Sequence, residues 1–430
     1  MNRPDRQTAN VDVPQLLAWG AILVPLFAFV APKISYWPLI LGGTLGLIGQ
    51  TVTRTAPPRS MWPLLGWLLA LFVWIAISLA YAPDSRAGFA LFLKLGAYGA
   101  CGFLMIRVVL DHGLAMRVTV GRVHLAGGLA VAAALGVDLA TGGAISTFLF
   151  GGAAPRGPSN RNTTAIVYLA LFAWPLSAWL RDNARPGIAV LPPLLAAAFA
   201  WVFGQFAVVL AMLVGAIVFG LAALRPRHTG FLVAAACAGF VLLAPAAGKL
   251  LTPGPWLRSA PVVVQFSAYH RTKIWSFAVD RIVERPLFGW GIDASRRIPG
   301  GDAIIEIDHY IGYPNRRFRT RAVIMPLHPH NAALQVWLEL GGVGALFLAA
   351  LCGGLPLACM RAPWPRASIA AGLAMFSTAY VLAMLSFSLW QSRWHALLWL
   401  AAASALVLLP GGPALGKKMR RSAGSQGRST

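Results

Sequence analysis

A chain of 430 residues that is 58% hydrophobic and only 11% charged, with a mean hydropathy of +0.67, has more apolar surface than one water-soluble core can hide. That excludes a soluble globular domain and places the chain in a bilayer, where sixteen Trp and 44 Gly suit interfacial anchoring and close helix approach. The net charge of +23 would suggest nucleic acid in a soluble protein, but here it falls in the connections between apolar runs, so no nucleic-acid partner is expected.

The opening stretch MNRPDRQTANVDVPQ is polar and lacks a small-residue cleavage site, which predicts no cleaved signal peptide. Apolar stretches able to cross about 30 Å of hydrocarbon follow at 15–32, 36–53, 61–81, 87–107, 122–140 and 163–180. A second set lies at 187–203, 205–224, 229–247, 331–354, 367–388 and 393–410. The expectation is an all-α, polytopic membrane protein of about twelve transmembrane helices. The four cysteines, Cys101, Cys237, Cys352 and Cys359, lie in or beside apolar segments without metal-ligand spacing, so neither a disulfide framework nor a zinc site is expected.

Alternate connections carry the basic residues: Arg3 and Arg6, Arg54 and Arg59, Arg107 with Arg117 and Arg122, then Arg181 and Arg185. Arg225 and Arg227, Arg361 and Arg366, and Lys417, Lys418, Arg420 and Arg421 continue the series. By the positive-inside rule these connections and both termini are cytoplasmic. Two Arg-rich stretches fall outside by parity, one around Arg156 and Arg161 and one at 248–329. A long loop can translocate despite its charge, and such arginines want an anionic partner, for which a diphosphate is suited. The division expected along the chain is helices one to nine over 1–247, a large periplasmic loop between helices nine and ten over 248–329, helices ten to twelve over 330–411, and a basic cytoplasmic tail over 412–430.

Within the loop, RTKIWSFAVDRIVER at 271–285 sets Ile274, Trp275, Ala278, Val279, Ile282 and Val283 along one helical side, an amphipathic pattern suited to the membrane surface. Pro286 ends it, and PLFGWGIDAS reads as a turn. Arg316, Arg317, Arg319 and Arg321 form a basic patch facing solvent or headgroups. The loop closes on HPHNAALQVWLELGG. With Asn331 as N-cap, His330 stands at the N-terminus of the next transmembrane helix, and helical periodicity sets Leu334 and Gly341 on its face. Gly341, Gly342 and Gly344 are expected to let a neighbouring helix pack closely behind it.

These residues resemble the O-antigen ligase and O-antigen polymerase superfamily of membrane glycosyltransferases. His330, Asn331, Leu334 and Gly341 satisfy its ligase motif; Arg271 and Trp275 followed by PLFGWG look like its second block; Arg156, Gly157, Asn160 and Asn162 are similar to its entry to a mid-chain helix. Members often carry Ser-Arg near the start of the eighth helix, where this chain has Gln205. The resemblance implies transfer of a preassembled glycan from undecaprenyl diphosphate to an acceptor sugar hydroxyl, with inversion, on an acceptor glycan or lipid A-core among membrane lipids at the periplasmic face of a bacterial inner membrane.

A neutral His330 is the expected base, with Arg271, Arg156 and Lys94 as candidate cations for the diphosphate. Asn331, Asn162 and Trp275 support them, with the helix N-termini at Asn162 and Asn331 facing the same side. Lys94 also lies within snorkelling reach of the surface, and His328 and His270 read as structural. The motifs hold no Asp-x-Asp and no carboxylate cluster, so neither a catalytic metal nor a cofactor is expected. Chain polymerase remains an alternative, as does a twelve-helix transporter, although no two-half repeat is visible.

Overall fold

Hydrocarbon offers no partner for a backbone N–H or C=O, so each apolar run satisfies its own backbone as a helix. The computed structural model describes residues 12–53, 58–151, 162–184, 186–250, 266–311 and 316–411. Among them eight helices are long and apolar enough to cross a membrane, and two shorter apolar helices lie at Pro186–Val202 and Ser392–Leu408. The chain is thus an α-helical, multi-pass membrane protein.

The expected connection between the runs at 87–107 and 122–140 is instead helical, because α5 is continuous over Ser85–Ala140, 56 residues in all. No proline interrupts it, and two of its arginines find partners: Arg107 pairs with Asp111 one turn on, and Arg117 reaches Asp182 at 2.7 Å. At 1.5 Å per residue the helix is about 84 Å long, against about 30 Å of hydrocarbon. A tally of twelve separate spans is therefore not reproduced.

The chain divides into two compact units. The first comprises Met1–Met61, Tyr98–Gly204 and Ala396–Thr430. In it α1 (Val13–Gly20) packs on α3 (Trp37–Thr53), α2 (Leu23–Val30) on α7 (Thr163–Asn183), and α7 on α8 (Leu191–Val202), with the short α6 (Ala144–Phe150) following α5. Buried His124 lies between Tyr168 Oη at 3.2 Å and Ser404 Oγ at 2.9 Å, which satisfies a polar ring in an apolar core.

The second unit comprises Trp62–Ala97 and Gln205–His395. Here α9 (Phe206–Leu224) packs along α13 (Arg366–Leu385), and α10 (Pro226–Leu250) along α12 (Ala332–Arg361), with α4 (Trp62–Ser78) against α12 as well. Between α10 and α12 the chain supplies α11 (Phe266–Glu284) and an antiparallel hairpin of β1 (Ile304–Ile311) and β2 (Arg316–Val323).

The hairpin replaces the loop expected around Arg316–Arg321. Arg321 stands opposite Glu306, whose carboxylate lies 3.3 Å from Arg319 and 3.6 Å from Arg321, with Arg319 58% exposed at its side chain. Amphipathic α11 is present, but its apolar side serves the protein rather than a membrane surface. Ile274, Ala278, Val279 and Ile282 are buried in one core with residues of α10 and α12, while Val283, expected on the same side, is 68% exposed.

Candidate functional site

The site is built on a break in α12. Gly341 has φ +66 and ψ −165 inside the helix, so helical periodicity does not run from His330 to Gly341 as expected. The break frees backbone groups on both sides, and the PLFGWG segment takes them up. Trp290 and Gly291 donate their N–H groups to the carbonyls of Leu338 and Glu339, each at 2.8 Å. In return Gly342 and Val343 donate to the carbonyls of Pro286 and Leu287, at 2.8 and 3.4 Å. Trp74 Nε1 caps the Leu340 carbonyl at 3.0 Å. Glycine is required where these backbones meet: a Cβ on Gly341 would collide with the Leu287 carbonyl, and one on Gly289 with the Glu339 backbone. Of the three glycines expected to admit a neighbouring helix behind the histidine, Gly341 and Gly342 face the Pro286–Gly289 strap instead, and Gly344 faces side chains of its own helix.

About two and a half turns before the break, α12 begins. Asn331 is its N-cap, and Asn331 Oδ1 accepts from the Leu334 N–H at 3.0 Å. The preceding His330 has φ +54, a left-handed conformation uncommon outside glycine and concentrated at functional sites. His330 donates its backbone N–H to His328 Nδ1 at 3.1 Å, and the two rings lie 4.2 Å apart. His330 Nδ1 lies 3.1 Å from the carbonyl oxygen of Ser386. A carbonyl only accepts, so Nδ1 carries the proton and Nε2 of the neutral ring keeps its lone pair. Burial holds His330 below the ordinary imidazole value, and the positive charge on Arg271 adds to this, while the Ser386 hydrogen bond opposes it. His328 is pushed down further, to about 3, by burial first and then by His330, Arg296 and Arg271.

Helix α11 brings Arg271 and Trp275 to this histidine pair. Trp275 Nε1 donates to the Pro329 carbonyl at 2.9 Å, pinning the His-Pro-His segment, and His270 Nε2 is 2.8 Å from the Val323 carbonyl, tying α11 to β2. Arg271 is half-buried, and among the described residues no carboxylate pairs with it; burial depresses its guanidinium below the ordinary value. A half-desolvated cation without a counter-charge gains by receiving an anion.

Sequence reasoning missed Glu339, which is 0% exposed and two residues before the break. Its Oε2 accepts from the Asp293 N–H at 2.7 Å and Trp390 Nε1 at 2.6 Å. Its Oε1 accepts from Ser295 Oγ at 2.5 Å and Gln335 Nε2 at 3.2 Å. Gln335 in turn donates to Ser388 Oγ at 3.1 Å and accepts from the Leu389 N–H at 2.9 Å. The signal was available, since Glu339 is the lone acid in the run 332–361 and an intramembrane carboxylate calls for a functional explanation.

Lys94 belongs to the same unit and acts electrostatically on Asp293, with Arg296 and His395 also in range. Asp293, at φ +61, accepts from Arg296 Nε at 3.0 Å; burial raises its carboxyl, and Arg296 and Lys94 counteract. Arg296 thus influences both Lys94 and His328. Arg156, with Gly157 and Asn160, lies outside the described residues. Asn162 belongs to the other unit, where its side chain does not cap α7 but donates to Asp138 Oδ2 at 2.8 Å. Ser146 Oγ donates to that carboxylate at 2.5 Å. Among the described residues no group of three or more His, Cys, Asp or Glu is gathered to hold a metal ion.

The segment that carries the strap, α11, the histidine pair and Glu339 lies within the part of the chain that matches a known family. Residues 194–349 match the O-antigen ligase family. The resemblance carried by His330, Asn331, Leu334, Gly341, Arg271 and Trp275 is thereby supported over this segment, whereas Lys94, Arg156 and Asn162 lie outside it. The chain is 32% identical over 153 residues to a candidate polysaccharide ligase of Rickettsia conorii, covering 36% of this chain and 34% of the relative. A counterpart in Rickettsia prowazekii is 32% identical over 160 residues, with 36% and 35% covered. One in Rickettsia bellii is 29% identical over 246 residues, with 56% and 57% covered. The chain therefore spans about a third to somewhat over half of the length of these relatives. No solved structure matches the chain.

Proposed function

We propose that this chain is a membrane glycosyltransferase of the O-antigen ligase type, which moves a preassembled glycan from undecaprenyl diphosphate to an acceptor sugar hydroxyl without a metal ion. The observation that carries the reading is the pairing of a histidine whose Nε2 is left as acceptor by the Ser386 carbonyl with the half-buried Arg271, which has no carboxylate partner among the described residues, inside the segment that matches the family. The acceptor is another glycan or lipid A-core. The distribution of basic connections favours a periplasmic site in a bacterial inner membrane with both termini cytoplasmic.

As the acceptor oxygen attacks the anomeric carbon, its proton passes to His330 Nε2, and the new imidazolium is stabilised through its Nδ1–H on the Ser386 carbonyl. The bond from the anomeric carbon to the diphosphate oxygen breaks, and the electron pair leaves with undecaprenyl diphosphate. Arg271 meets the growing charge with two parallel N–H groups, with Lys94 as a further cation and the N-terminus of α12 contributing a positive dipole end.

Purified full-length protein in proteoliposomes, given an undecaprenyl diphosphate-linked glycan and lipid A-core, should yield glycosylated lipid A-core and free undecaprenyl diphosphate. A glycan-on-glycan product instead would assign chain polymerisation. No glycosidic product with either acceptor would overturn the reading.

A further inference from the structure

We propose that Glu339 is a positioning residue for His330, acting through the turn at 386–390, an inference that rests on the glycan-transfer reading above. Two short segments flank the histidine pair, and both end on this one carboxylate. On one side Glu339 holds the Asp293 N–H and Ser295 Oγ, which fixes the stretch bearing Asp293 and Arg296. On the other it holds Trp390 Nε1 directly, and through Gln335 it holds Ser388 Oγ and the Leu389 N–H. That second segment contains Ser386, whose carbonyl selects the His330 tautomer.

All four groups facing Glu339 present hydrogens, so only a group with two acceptor oxygens satisfies them together. An amide in its place would set an NH2 opposite two of these donors and leave buried hydrogens unpaired. Relaxing either contact on the 386–390 side lets the Ser386 carbonyl drift from Nδ1. The charged and titratable groups facing His330 are Arg271 and His270 from α11 and His328 beside it; none is altered by a change at Glu339. The Ser386 hydrogen bond raises the basicity of His330, so its loss moves the acid limb of the rate profile to lower pH while slowing turnover. A carboxylate that merely held the fold together would lower the amount of active protein and leave that limb where it is.

The test compares Glu339→Gln and Trp390→Phe with wild type in proteoliposomes, measuring kcat, donor KM and the pH profile, with His330→Ala alongside. Glu339→Gln should lose about tenfold or more in kcat, a loss of general-base positioning, with donor KM little changed and the acid limb displaced downward. Trp390→Phe, which removes one hydrogen bond and keeps an aromatic ring, should shift both in the same direction by less. An inactive His330→Ala beside a Glu339→Gln with wild-type kcat, or with reduced kcat and an unmoved limb, would overturn this inference alone. Full activity in His330→Ala would overturn the base assignment and this inference with it. If Glu339→Gln fails to fold, Trp390→Phe decides, and a wild-type kcat and acid limb in that variant would overturn the proposal.

Discussion

The Nδ1 of His330 lies 3.1 Å from the carbonyl oxygen of Ser386, and that contact decides which nitrogen is free to take a proton. It comes from the 386–390 turn, far along the chain from the helix that the histidine precedes, so the base is set by tertiary packing rather than by its own motif.

Burial and Arg271 hold His330 below its ordinary value of 6.5. A base must be neutral to act, so activity should fall only as pH drops through this depressed value. The acid-side midpoint of kcat/KM against pH is expected below 6.5, with full activity at neutrality. A midpoint above 7 would contradict the assignment.

Arg271→Lys keeps the charge but replaces a planar fork by a compact point charge. If Arg271 grips two diphosphate oxygens, transfer should fall by about tenfold or more. Arg319→Lys, in the exposed pair with Glu306 on β2, should stay near wild type. Equal activity of the two variants would reduce Arg271 to headgroup electrostatics.

The strap makes a stability prediction. Gly341→Ala places a Cβ against the Leu287 carbonyl at φ +66, which should destabilise by about 2 kcal/mol or more. Gly354→Ala, in the same helix with open space around it, should be neutral or stabilising by up to about 1 kcal/mol. Thermal unfolding of both in detergent checks the contrast, and an equally tolerated Gly341→Ala would refute the role given to the break.

The contrast between these glycines shows where the sequence was readable. Apolar runs, the amphipathic pattern of α11 and the N-cap at Asn331 are local and followed from periodicity and side-chain chemistry. Gly341 was misplaced because periodicity assumes an unbroken helix, and the groups that stabilise the break come from Pro286–Gly291 and Trp74. Helix α5 was read as two spans because charged residues suggested a loop, whereas Asp111 and Asp182 pair with Arg107 and Arg117 on a continuous helix. Glu339 was legible as an odd residue in an apolar run, but three of its four donors, on Asp293, Ser295 and Trp390, lie on distant segments.

If arginines rather than a divalent ion meet the diphosphate charge, purified enzyme should keep its full rate in excess EDTA. Loss of activity that added magnesium or manganese restores would overturn that part of the account.

The central claim is that His330 takes the acceptor's proton, and the direct test is the transfer rate of purified His330→Ala with lipid-linked donor and acceptor. Asn331 still caps α12 in this variant and Trp275 still holds Pro329, so the protein should fold and reconstitute as wild type does. The account predicts a loss of about 10² to 10⁴ in kcat with normal yield and thermal stability. Wild-type turnover by the folded variant would contradict it.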